Sequence, residues 1–156
     1  MISKVNNWED IPSESRFWSF CAQRPWSKDE EEYIDGALNE LCASWKAHGH
    51  LIKAGFKTVE NRLIGICIDE SLKQASGCSI DSRIHLMNDI SAKLEINFFN
   101  RMHIYVREDV SSKWLYVSLK TAKKMKSGEF LNTVARVKGE WNPISKIQGS
   151  WISPSK

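Results

Sequence analysis

The run Ala75-Ser76-Gly77-Cys78-Ser79-Ile80-Asp81-Ser82-Arg83 gathers small residues, hydroxyls, a thiol and a carboxylate at the mouth of an expected helix. The free N–H groups at a helix start favour an anion. They also lower the pKa of a thiol placed among them, because the thiolate is the stabilised form. Cys78 is therefore a candidate nucleophile, with His48 as its base and Asp69 or Asp81 holding the imidazole in one tautomer. The N–H groups of Cys78 and Ser79 would act as oxyanion donors. Ser76, Gly77, Ser79 and Asp81, together with Arg62 and Arg101, make up the candidate ligand-binding set.

Each residue also has a plainer reading. Ser76 or Ser79 suits an N-cap, and Gly77 a turn. Asp81 in a first helical turn and His48 near a helix end both complement the helix dipole without chemistry. Cys78 also reads as a structural thiol. A metal held by His48, His50, Asp69 and Asp81 is not expected, since side chains two apart at a helix end diverge. No cofactor is implied.

The elements that would position these residues follow from pattern. Arg16 to Arg24 is an aromatic-rich first strand stopped by Pro25. Ser27 opens a helix, with Glu30 three places on as a capping box. Tyr33, Ile34, Ala37, Leu38, Leu41, Cys42 and Trp45 recur at helical spacing, and Gly49 is the expected terminator. Leu51–Glu60 and Arg62–Asp69 read as two strands joined by a tight turn at Glu60-Asn61, because Asn tolerates a positive φ. The second of these is apolar on both faces and reads as central, with Gly65 admitting a close neighbour.

Ile80, Ile84, Met87, Ile90 and Leu94 stripe a second helix. Arg101–Val106 and Lys113–Leu119 read as further strands, Thr121–Met125 as a short basic helix, and Glu129–Val137 as strand or loop. The order predicts an α+β fold with a ferredoxin-like βαββαβ core: an antiparallel sheet, two helices on one face, and extra C-terminal strands. Residues 1–156 are expected to form one domain, with a core of about 16–119 and an extension of about 120–156. In that plan the end of helix one, the start of strand two, the end of strand three and the start of helix two share one rim, with Arg16 nearby. Arg62, Arg101 and His103 fall at the opposite end or on an open sheet face.

A length of 156 residues with 42% hydrophobic content supports a real core, and the net charge of +3 does not by itself call for nucleic acid. The four cysteines form no CxxC pair, which argues against a zinc ribbon. The first residues lack a basic start with an apolar core, and no apolar run nears the roughly 18 residues of a membrane span. A reducing cytoplasm and no membrane partner are the expectations.

The residues Trp45-Lys46-Ala47-His48-Gly49, Arg62, Asp69-Glu70, Ala75 to Ser82, Arg101-Met102, Trp141, Pro143 and Ser150-Trp151 carry a resemblance. The chain resembles a small, poorly characterised bacterial family with an SGCSID motif, whose members often bear the automatic label "ABC transporter ATPase". The chain has no GxxxxGK[ST] loop, and so no nest for a β-phosphate, which argues against that label. The resemblance implies only that His48, Arg62, Asp69, Ser76, Gly77, Cys78, Ser79, Asp81 and Arg101 occupy the family's motif positions.

The first functional expectation is a domain that holds a small anionic or acyl ligand at the start of helix two. Whether it is also a Cys-dependent enzyme stays open. The alternative is a non-enzymatic RNA- or protein-binding module that uses an open sheet face, with Lys53, Lys57, Arg101, His103, Tyr105, Trp18, Phe20, Trp114 and Tyr116 as its surface. No RNP-like motif occurs, so nucleic acid is not the expected partner. Seven tryptophans in this length also suit an interaction protein or homodimer.

Overall fold

The computed structural model describes residues 8–47, 49–70 and 77–154, with residues 47 and 77–81 described as backbone only. Strand β1 (Arg16–Cys21) leads into helix α1 (Lys28–Ser44). Ser27 and Glu30 form the expected capping box. The Arg24 guanidinium grips the Glu30 carboxylate with two hydrogen bonds of 3.0 Å and reaches the Leu94 carbonyl at 2.8 Å. Arg24, and then the Ser27 backbone N–H, hold the Glu30 carboxyl at about 2 instead of 4.5. A depressed carboxyl pKa stabilises the fold above the ordinary value and stops doing so as pH falls through the shifted one. The stability gap between the natural chain and Arg24→Met should therefore shrink between pH 4.5 and 2, as urea unfolding would show; a gap that grows in that window would refute the linkage.

The end of α1 departs from expectation. The helix stops at Ser44, with Trp45 as an extended C-cap. A two-residue ribbon follows, β2 (Lys46–Ala47) against β3 (His50–Leu51), and Gly49 serves its turn with φ +80°. Strand β4 (Lys53–Val59) then pairs with β5 (Leu63–Asp69). Between them Glu60 and Asn61 both take positive φ, and Arg62 N–H closes on the Val59 carbonyl at 3.1 Å. This is a type I′ turn, whose twist matches that of the flanking strands.

Helix α2 (Gly77–Leu94) returns over the sheet. Strands β6 (His103–Arg107) and β7 (Leu115–Ser118), helix α3 (Leu119–Ala122), and strands β8 (Glu129–Leu131) and β9 (Ile144–Lys146) complete the chain.

The result is α+β, with a three-stranded antiparallel sheet β1-β5-β4 and a four-stranded antiparallel sheet β7-β6-β8-β9 beside the small ribbon. The ferredoxin-like plan is not what forms. Its order holds for β1, β5 and β4, but β6 does not join β1. Both backbone edges of β6 are taken by β7 and β8. The free edge of β1 is met instead by a bridge from Arg16 to Val137, by Arg101 on the Ser19 carbonyl, and by Ser19 Oγ on the Thr133 carbonyl.

Alternation along β5 sorts the core. Ile64, Ile66 and Ile68 face α1 and α2, meeting Ile34, Leu38, Met87 and Ile90. Leu63 and Cys67 face the second sheet, meeting Phe17, Tyr105, Leu131 and Trp141. Strand β5 is thus buried on both faces, as its unbroken apolar run predicts. The far face of the second sheet is closed by Ala122, Ile147 and Ile152 around Phe130. The segment after 120 therefore supplies two strands and much of a core. Trp141, buried between Phe17 and Trp8, is part of this interior.

Candidate functional site

Hydrogen bonds and ring contacts fix which ends of the elements meet. Helix α1 starts beside the β4–β5 turn, where Trp26 N–H donates to the Asn61 carbonyl. It ends at Trp45, whose carbonyl accepts from Ile52 just before β4. Lys53 at the start of β4 is in register with Asp69 at the end of β5. Helix α2 runs the opposite way to α1. Its Arg83 lies over the Trp18 ring at 4.4 Å, and its last residue, Leu94, meets Arg24 at the far rim. The end of α1, the start of β4, the end of β5 and the first turns of α2 therefore belong to one rim.

At that rim two guanidinium groups share one aromatic ring. Arg83 is stacked on Trp18 at 4.4 Å, and Arg16 approaches the same ring at 6.0 Å. Trp18 stacks in turn on Trp45, with ring centroids 6.0 Å apart and planes 18° apart. Arg16 also pairs with Glu70 at 3.2 Å. Each such cation–ring contact contributes about 0.5–2 kcal/mol and fixes the direction of the guanidinium edge. Beside them lies a shallow cavity of about 210 Å³ lined by Pro12, Glu14, Ser15, Arg16, Asp69 and Glu70.

His48 and Ser76 lie outside the described residues, so the pairing of His48 with Cys78 does too. Gly77, Cys78, Ser79 and Asp81 occupy the first turns of α2 by backbone. Asp69 reaches the rim, but alternation puts it on the Cys67 face, turned from the helices, while Glu70 reaches Arg16. Arg62 and Arg101 are elsewhere. β5 has seven residues, so Arg62 at its start stands about 20 Å from Asp69 at its end. Arg101 holds the Ser19 carbonyl midway along β1.

The sequence pattern does not place Arg83, Trp18 and Trp45 in the ligand site at this rim; it puts Trp18 on an open sheet face. The signal was present: Arg16 and Trp18 are two apart on a strand and so share a face. The other three cysteines are free thiols without a role at this rim. Burial pushes Cys21, Cys42 and Cys67 up to about 12. Among the described residues no group of His, Cys, Asp or Glu is placed to hold a metal ion, and no helix is long and apolar enough to cross a membrane. No protein-family model, curated protein or solved structure matches the chain. The site is read from its own chemistry.

Proposed function

We propose that the rim at the start of α2 binds a small anionic or acyl ligand, with Cys78 as its contact or nucleophile. The convergence of Arg16 and Arg83 on Trp18, at the rim where α2 begins, carries the reading. The Arg83 guanidinium and a helix N-terminus each favour an anion and oppose the carboxylates of Glu14, Asp69 and Glu70 that line the neighbouring cavity. Ser79 stands one helical turn before Arg83, so the helix start and the stacked guanidinium are near enough for one compact ligand to span. In this reading His48 is the base and Ser76, Gly77, Ser79 and Asp81 shape the entrance. Glu70 keeps Arg16 in place.

The alternative, an RNA or protein partner on an open sheet face, finds little room on the first sheet among the described residues. Phe17, Cys21, Leu63 and Cys67 on that side of the first sheet are buried under Tyr105, Leu131 and Trp141. Phe20 is packed among the helices, and Trp18 beneath Arg83.

Titration with inorganic phosphate and with acetate, followed by the Trp18 and Trp45 indole N–H resonances, tests the proposal. Saturable shifts are expected, with affinity reduced roughly tenfold in Arg83→Ala, the usual loss for one charge-assisted contact. Indole resonances that stay still at ligand concentrations of about 10 mM, well above a millimolar dissociation constant, would remove it.

A further inference from the structure

At the rim opposite the start of α2, β6 and β7 present a second polar constellation. Tyr105 and Tyr116 face each other across the ladder, with ring centroids 4.7 Å apart. His103 stacks on Tyr116 at 5.2 Å, and the Arg62 guanidinium lies over Tyr105 at 5.2 Å. The row thus runs His103, Tyr116, Tyr105, Arg62.

Its hydrogen-bonding groups are unevenly satisfied. The Tyr105 hydroxyl donates to the Ala22 carbonyl at 2.8 Å. Arg62 Nη1 donates to the Glu60 carbonyl at 2.8 Å. By contrast Arg62 Nε and the Tyr116 hydroxyl are buried with no partner. A buried donor without an acceptor is costly, and such groups are normally matched.

The histidine adds a third donor. Asn100 Oδ1 accepts the Met102 N–H at 2.8 Å, which turns Asn100 Nδ2 toward His103 Nδ1 at 3.2 Å. Nδ1 is therefore the acceptor, and the neutral ring carries its proton on Nε2.

The local charge is positive. Arg62 and Arg101 form no ion pair among the described residues, and both are near enough to Cys21 to act on its thiol. Burial raises the Tyr116 phenol, so that hydroxyl keeps its proton and remains a donor. Cys21 is buried beneath and takes no part as a nucleophile.

We infer that Arg62, Tyr116 and His103 frame a second binding site, distinct from the α2 rim, for a small oxyanion of the carboxylate or phosphate type. Arg62 Nε and the Tyr116 hydroxyl lack an acceptor, and among the described residues the two arginines lack a counter-charge. One oxyanion supplies both. The neighbouring Tyr105 ring gives the guanidinium a flat support and limits the site to a compact ligand.

The Arg62 Nε–H resonance reads this site alone. Titration of the intact chain with inorganic phosphate, and separately with acetate, should move it saturably. A response to phosphate alone assigns a phosphate ligand, to acetate alone a carboxylate, and to both a general oxyanion site. Tyr116→Phe keeps the ring and removes the hydroxyl, and should weaken binding roughly tenfold. Arg101→Gln changes an exposed residue and should weaken it severalfold without disturbing the core. Arg83→Ala should leave this response intact, which separates it from the rim site. An Arg62 resonance that does not move with either anion, or that titrates equally in Tyr116→Phe and Arg101→Gln, would overturn the inference.

Discussion

Gly65→Ala is expected to destabilise the fold by about 3 kcal/mol, at the upper end of the usual cost of overpacking. On general grounds the change should help, since Gly weakens a strand interior. The packing reverses the sign. A Cβ at position 65 would stand 2.6 and 2.7 Å from two Trp141 ring carbons and 2.8 Å from Phe17. Neither ring is free to step aside. Trp141 donates its indole N–H to the Asn132 carbonyl at 2.8 Å and is wedged against Phe17 and Trp8.

Gly36→Ala is the matched control. That position lies on the exposed face of α1, where an added Cβ meets nothing within 4 Å. It should gain roughly 0.5–1 kcal/mol from helix propensity. Thermal unfolding should show Gly65→Ala melting roughly 6–12 °C lower and Gly36→Ala slightly higher. Trp141→Ala should then relieve part of the Gly65→Ala cost in a double-mutant cycle. Equal melting temperatures for Gly65→Ala and the natural chain would show that the second sheet does not press on the first at this point.

Gly65 also shows where sequence reading succeeds and where it stops. A glycine inside an unbroken apolar strand signals that something approaches closely, and it does. Nothing local says that the visitor is Trp141, 76 residues further on. Features set within a few residues were legible: the Ser27–Glu30 box, the Glu60-Asn61 turn and the two-faced burial of β5. The destination of β6 was not. Its alternating pattern, with Ile104 and Val106 on one face and Tyr105 on the other, is the same whether it joins β1 or founds a new sheet. The choice was made by β8, β9 and the residues around Ile147 and Ile152, whose short strands are broken by Pro, Gly and Ser and carry little periodicity of their own.

The candidate site divides in the same way. Alternating chain direction was enough to gather the α1 end, the β5 end and the α2 start on one rim, and to send Arg62 to the other. Side-chain partners across elements were not. The stacking of Arg83 on Trp18 joins a helix to a strand 65 residues away, and only the fold brings them together. A one-residue step along a strand exchanges the faces, and it is the residue after β5, Glu70, whose carboxylate pairs with Arg16.

Native alkylation should place one adduct on each chain, at Cys78, and Cys78→Ala should take up none. The expectation rests on contrast among the four thiols. Cys21, Cys42 and Cys67 are buried, and burial pushes each up to about 12. At pH 7 only about one in 100,000 of such a thiol is ionised, and the thiolate is the reacting form. Cys78 belongs to the first turns of α2, and under the proposed function the positive end of that helix favours the thiolate. Its rate with iodoacetamide should therefore exceed theirs by orders of magnitude at neutral pH, and inorganic phosphate at millimolar concentration should slow it by occupying the rim. Unfolding in denaturant exposes all four thiols and gives the reference mass. A folded chain that stays unlabelled while the unfolded chain takes four adducts would end the case for Cys78 as a nucleophile, yet would leave the Arg16–Trp18–Arg83 anion site to be judged by its own titration.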